Sequence, residues 1–438
     1  MQFRKLSLVV AALLSGQASA AGFQLAETSA TGLGRAYAGA AALADNAASQ
    51  GRNAAMLLAL DGMQISTGAI YIDPNVEADG NVTVYSPVDG SPIYQEAANV
   101  SELVPSAVVP NFFFSHKLND TWAYGIGLIS NYGLASELPS DDHGAAFLGT
   151  KTEVTTVELN PNVAYAINDH YSIGFGLRVL YAEGEIVGNM PGWADPINAA
   201  LIGAGQAPAY PPGGTVLRSV VGDDSISYGY NLGFHWRSNE GHSLGLAYHS
   251  AIDLGLEGDY KVFNPASQSH LTLPASMDVT LPGFAELAAA HQLTPNLRMS
   301  ASVKWTDWSE FTDLEVKLEN GVMQTIKEET FKDNWRFAVG ADLRTSDKWL
   351  WRGGIAYDQT AVDDEHRSLS IPDSSRLWLS TGMAYEASEQ LTLDFSLTYL
   401  TSVGDSPVVE SSPELGATFD GEVTGDAILA GVQATYRF

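Results

Sequence analysis

Two clusters in this chain place acids beside a histidine: Asp141-Asp142-His143 and Asp363-Asp364-Glu365-His366. An imidazole oriented by a carboxylate can take a proton from water, so both have the residue types for hydrolysis. Neither has the rest of the machinery. The sequence contains no glycine-flanked serine elbow and no zinc-spaced histidine pair. Both clusters also lie in stretches rich in Pro, Gly, Asp and Ser, where acidic runs are usually solvated faces. Gly32, Gly34 and Gly39 invite a phosphate-loop reading, but no strand precedes them and their spacing fits neither nucleotide fingerprint. No enzymatic activity, cofactor or catalytic metal is expected.

Other charges are more informative because of their neighbours. Arg178 belongs to a segment in which Tyr171, Ile173, Phe175, Leu177, Val179 and Tyr181 alternate with Ser172, Gly174, Gly176 and Arg178. Leu297, Met299, Ala301, Val303 and Trp305 alternate in the same way with Arg298, Ser300, Ser302 and Lys304, and Leu391–Tyr399 does so around Asp394. This period-2 pattern is that of strands with an apolar and a polar face. Arg178, Arg298, Lys304, Arg352 and Asp394 would be prohibitively costly in hydrocarbon, yet they suit a wet or hydrogen-bonded lumen. The apolar face therefore meets lipid. Trp305, Trp308, Trp349, Trp351 and Trp378 fall near strand ends, where interfacial girdles are expected.

The final residues, Ile428 to Phe438, alternate likewise and stop at phenylalanine. Such a last strand pairs with the first to remove edges that lipid cannot hydrogen-bond, and it is the segment expected to engage the barrel-assembly machinery. At the other end, residues 1–20 carry Arg4 and Lys5, an apolar run from Leu6 to Leu14, and Ala18-Ser19-Ala20 as a cleavage site, which predicts a secretory signal peptide. No other apolar run is long enough for a spanning helix. Cysteine is absent, so an exported protein of this composition must be held by its hydrogen-bond ladder. The 51 acidic residues against 22 Lys and Arg exclude nucleic acid as a partner. A bacterial outer-membrane location follows, with exposed acidic loops solvated or making weak Ca²⁺ contacts to lipopolysaccharide.

Polar turns are predicted at Lys117–Asp120, Asn168–His170, Ser238–Gly241, His291–Asn296, Thr345–Lys348 and Ala387–Glu389. Long loops are predicted at about 75–104, 132–152, 185–224, 253–276, 313–330, 359–372 and 403–424. Six short and seven long connections join fourteen strands, with both ends on one side and the long loops outside the cell. The expected fold is all-β, a 14-stranded antiparallel transmembrane β-barrel. Its lumen is too wide for wall side chains to close. The small-residue segment 21–62, before the strand at Met63–Pro74, is the expected hatch, leaving 63–438 as the barrel.

Ala21-Gly22-Phe23-Gln24-Leu25, Gly32-Leu33-Gly34-Arg35-Ala36-Tyr37 and Tyr71-Ile72-Asp73-Pro74 resemble the mature amino-terminus and first strand of the FadL family, FadL/TodX-type outer-membrane transporters of long-chain fatty acids. Val109-Pro110-Asn111, Ser130–Ala135, Trp308-Ser309-Glu310-Phe311, Phe331-Lys332-Asp333 and Ser370-Ile371-Pro372-Asp373 resemble further blocks of that family, in order. Together they cover essentially the whole mature chain.

The resemblance implies a monomeric, hatch-plugged barrel that carries a long-chain fatty acid, or another hydrophobic small molecule, inward without an energy source. Substrate would meet an apolar groove between outer loops, here with Met190, Trp193, Leu201, Ile202, Tyr210, Leu271 and Leu273. It would then reach a pocket touching Phe23 and leave sideways at a kink in the third strand. Asn131, Tyr132 and Gly133 fall at that kink, and glycine is the residue expected to make the bend. Lys327 aligns with a pocket lysine that binds anionic head groups. The family's second pocket cation falls at about Val187, which leaves open a less charged substrate or a substitute such as Lys332 or Arg178. Gly34, Arg35, Asn53 and Ala54 belong to the implied hatch, where Asn53-Ala54-Ala55 replaces the usual Asn-Pro-Ala. The alternatives are uptake of neutral alkanes or monoaromatic hydrocarbons by the same scaffold, and an open diffusion porin.

Overall fold

The computed structural model describes residues 22–438, apart from the side chains of Asp223 and Asp224; the expected leader, 1–20, lies outside the described residues. Fourteen antiparallel strands close a ring. They are β1 (Met63–Tyr85), β2 (Ala107–Lys117), β3 (Trp122–Ile129), β4 (Lys151–Ala166), β5 (Tyr171–Asn189), β6 (Val216–Arg237) and β7 (Ser243–His249). The ring continues through β8 (Phe284–Thr294), β9 (Leu297–Thr306), β10 (Asn334–Arg344), β11 (Trp349–Asp358), β12 (Arg376–Glu386), β13 (Leu391–Ser402) and β14 (Ala417–Arg437). Each pairs with the next, and β1 pairs with β14 from Gln64↔Arg437 to Val84↔Ala417. Closure leaves neither the first nor the last strand as a free edge.

The six short turns fall between strands as expected, and the alternation has the expected sense. Tyr171, Ile173, Phe175 and Leu177 are exposed, whereas Arg178, Arg352 and Asp394 are buried on the inner face. The long connections differ from expectation. β1 runs up to Tyr85, β14 starts as early as Ala417, and Ile252–Asn264 pairs with Ser269–Leu281 as a hairpin across the stretch expected to be loop. Continuing the ladder above the bilayer satisfies backbone groups and buries one face, with Val82, Val84, Leu254 and Phe419 among the buried residues, while the Gly, Asp and Asn within these stretches give them the composition of loops. The tryptophans also divide. Trp349 and Trp351 face outward, but Trp308 and Trp378 are fully buried inside the protein.

Residues 22–60 fold inside the ring. They include a short helix, α1 (Ala30–Leu33), and two 3₁₀ turns, Ala47–Gly51 and Ala54–Ala59. Ser29, Asn46 and Asn53 cap these with their side chains, accepting from the backbone N–H of Gly32, Ala48 and Ala55. The small residues allow backbone-to-wall contact. A Cβ at Gly354 would collide with the Arg35 carbonyl, and one at Gly34 would stand 3.1 Å from the Gly382 Cα.

Candidate functional site

Phe23 lies in a knot of rings near the outer end of the lumen. Its ring centroid is 4.8 Å from Trp308, 5.0 Å from Phe311 and 6.4 Å from Tyr132, and Phe331 closes the group at 4.9 Å from Phe311. Leu134, Leu180, Leu254, Leu256 and Ile326 extend this apolar cluster. Burial of Phe23 is worth about 1.5–3 kcal/mol, and its edge-on ring contacts add roughly 0.5–1.5 kcal/mol each.

Beside it the wall has a seam. β2 and β3 pair only from Lys117↔Ala123 to Phe112↔Leu128, and the rest of β2, Ala107–Asn111, pairs with β1 alone. β3 ends at Ile129. After a break at 130–132 the chain resumes as Gly133–Glu137, paired with β4 from Gly133↔Thr155 to Glu137↔Lys151. The hatch's first residues take up the vacated backbone groups. Leu25 N–H donates to Asn131 O at 2.8 Å, Gly133 N–H donates to Phe23 O at 2.9 Å, and Gln24 bridges Tyr132.

Gly133 itself already belongs to the resumed strand, and the break precedes it. The side chains in the break are tied to β4 and to the chain before β8. Ser130 Oγ donates to Thr156 O at 2.7 Å, Asn131 Nδ2 to Glu158 Oε2 at 2.9 Å, and the Tyr132 hydroxyl to Pro282 O at 2.5 Å. Arg178 clamps Glu158, its Nε reaching both carboxylate oxygens at 3.1 Å, while its Nη1 donates to Ser250 O at 2.6 Å. Arg178 is thus committed to the kink, not free to replace the cation absent at Val187. Lys332 is exposed and paired with Asp363.

Lys327 ends the outer strand Met323–Lys327 and is mostly buried. Its Nζ lies 2.9 Å from Glu410 and 3.7 Å from Glu329. Burial pushes the Glu329 carboxyl up to about 7, despite the neighbouring lysine. One cation facing two carboxylates is a poor receptor for a third. Glu410 had no signal in the sequence, since the pairing joins segments far apart in the chain.

Trp193 is not brought to this site. It is buried in a separate cluster, stacked edge-on with Tyr210 at 5.3 Å, and its indole N–H donates to Gly144 O at 3.0 Å. Met190 is buried there too, whereas Ile202, on helix α2 (Ala194–Gly203), and Leu271 are exposed.

At the opposite end of the lumen the hatch is fastened by charge. Fully buried Arg35 bonds Asp45 at 2.5 Å and Asp342 on β10 at 2.9 Å. Arg298 reaches the same two acids at 3.0 and 2.9 Å, and Arg352 pairs with Asp394 at 2.6 Å. Asn53 Nδ2 ties Ala41 O at 2.8 Å to Phe234 O on β6 at 3.0 Å, and Ala54 packs against Gly174.

The chain and its fold have counterparts in known proteins. The family model described as "Outer membrane protein transport protein (OMPP1/FadL/TodX)" matches residues 11–438. The chain belongs to this family. It is 32% identical to the long-chain fatty acid transport protein of Escherichia coli K12, covering 100% of this chain and 99% of that protein. It is 34% identical to outer membrane protein P1 of Haemophilus influenzae Rd, covering 100% of both chains. The crystal structure of a Pseudomonas aeruginosa FadL homologue superposes with a TM-score of 0.81 at 24% identity, covering 95% of this chain and 100% of that one. The Pseudomonas putida toluene transporter TodX gives 0.68 at 16% identity, covering 96% and 100%. This FadL-family barrel is an outer-membrane protein.

Proposed function

We propose that the protein carries long-chain fatty acids inward across the outer membrane without an energy source, with exit sideways through the β2–β3 seam. The observation that carries this reading is the loss of β2–β3 pairing beyond Phe112↔Leu128, next to the aromatic knot around Phe23. Burying an acyl chain is worth about 0.8 kcal/mol per methylene, so a long chain gains on the order of 10 kcal/mol by staying in apolar surroundings. An opening toward the bilayer keeps that gain; release into water forfeits it.

Phe23 forms the pocket wall, Asn131, Tyr132 and Gly133 frame the exit, and Gly34, Arg35, Asn53 and Ala54 seat the hatch. Trp193 props the outer loops that admit substrate. The closed ring favours action as a monomer, the β14 strand is the assembly signal, and the acidic loops face lipopolysaccharide. A second reading, uptake of neutral hydrocarbons, draws support from the pairing of Lys327 with two carboxylates.

Identifying what co-purifies with detergent-extracted protein separates the two: a fatty acid supports the first, an alkane or arene the second. Phe23→Ala should weaken fatty-acid binding about tenfold or more, in line with the lost burial. Unchanged affinity of the folded variant would remove Phe23 from the pocket.

A further inference from the structure

Gln24, next to Phe23, points its side-chain oxygen at two donors. Lys304 Nζ donates to Gln24 Oε1 at 2.6 Å, and Thr306 Oγ1 donates to the same oxygen at 3.3 Å. Lys304 and Thr306 lie on the inner face of β9, just before Trp308, on which Phe23 packs. The Phe284 ring sits 5.2 Å from the ammonium. A lysine and a hydroxyl converging on one oxygen form the kind of donor set that receives a carboxylate.

The charges around Lys304 leave that role open. Among the described residues no carboxylate lies within ion-pair distance of it. Glu286 is its partner across the β8–β9 ladder, buried and with Oε1 lacking a hydrogen bond; Arg52, Asp358 and Arg336 also act on it electrostatically. Lys327 differs, because Glu410 already stands at 2.9 Å. An ionised head group entering a dry lumen needs a cation not already neutralised.

We propose that Lys304, with Thr306, receives the carboxylate of an acyl substrate, and that this carboxylate displaces the side-chain oxygen of Gln24. The inference rests on the fatty-acid reading above and names the head-group receptor that it requires. Displacement has a structural consequence. The Gln24 side chain ties the first hatch residues to β9, so its displacement leaves them held at the seam by the backbone hydrogen bonds of Phe23 and Leu25 to the third strand.

The test measures affinities of purified wild type, Lys304→Met, Lys304→Arg and Gln24→Glu for a long-chain fatty acid and for the alcohol of the same length. Lys304→Met should lose roughly tenfold to a hundredfold in acid affinity, the range of one charge-assisted hydrogen bond, and keep its alcohol affinity, which also reports that the barrel is folded. Lys304→Arg should retain the acid preference. Gln24→Glu, which fixes a competing carboxylate at the ammonium, should lower acid affinity alone. Lys304→Met that lowers acid and alcohol equally, or neither, overturns this proposal while leaving the uptake reading standing. Should Lys304→Met not fold, an unchanged acid-to-alcohol ratio in Gln24→Glu overturns it instead. Wild type that binds neither ligand overturns both.

Discussion

Near the short turns the hatch meets the wall through charge, with Arg35, Asp45, Asp342 and Arg298 sharing four contacts of 2.5–3.0 Å; near the outer end it meets the wall through the rings around Phe23 and two backbone hydrogen bonds to the broken third strand. Buried ion pairs are hard to open one partner at a time, because the charge left behind has no water to solvate it. Apolar ring contacts can be exchanged for an acyl chain at little net cost, since one apolar surface replaces another. The hatch is therefore anchored where an axial route would have to open and exchangeable where a lateral one begins.

Removing the anchor should have the largest effect. Arg35→Ala leaves Asp45 to Arg298, and Asp342 to Arg298 and the more distant Arg352, and should cost about 3–5 kcal/mol in the stability of the seated hatch. Protease accessibility of residues 22–60 in the intact barrel reads this out, and protection equal to wild type would mean that the ion pairs do not fasten it. At the other end, Asn131→Ala removes one charge-assisted bond to Glu158 and should cost about 1.5–3 kcal/mol, with faster hydrogen exchange confined to 130–137. Exchange that rises across the whole of β4 would show the kink and the wall to be one unit. The smallest effect is expected at Ala54. It opens a 3₁₀ turn after an extended Asn53, and its N–H makes no hydrogen bond among the described residues. Ala54→Pro should therefore leave stability unchanged or raise it by about 0.4–1 kcal/mol, read as a small upward shift in Tm. A large fall would show the segment to be strained against Gly174.

The two ends were not equally legible in the sequence. Wall strands and short turns are local, and alternation such as Tyr171–Tyr181 carries their orientation directly. The paired extensions above the bilayer have the composition of loops, because Gly, Asp and Asn interrupt the apolar face that the ring buries. Gly133 is legible as a strand breaker, but the break falls at Ser130, Asn131 and Tyr132, whose anchors at Thr156, Glu158 and Pro282 come together only in the closed ring. Lys327 was placed by resemblance alone, which carries no information on Glu410. Lys304 was legible as an inward cation in its alternating strand, but its freedom from a carboxylate partner was not. Trp378 and Trp349 have the same residue type at strand ends and opposite surroundings, so type alone could not assign either to a girdle.

The central claim is that substrate leaves through the wall while the hatch stays seated. A Cβ at Gly340 on β10 would stand 3.0 Å from the Ala38 Cβ of the hatch, so cysteines at these two positions, in a chain that has none of its own, can lock hatch to wall once the two backbones part by about half an ångström to reach disulfide geometry. The decisive measurement is the rate of fatty-acid uptake by cells carrying the Ala38→Cys, Gly340→Cys protein, oxidised and then reduced. The account predicts equal rates in the two states. Uptake that is abolished on oxidation and restored on reduction would contradict it, because the hatch would then have to leave its seat for substrate to pass.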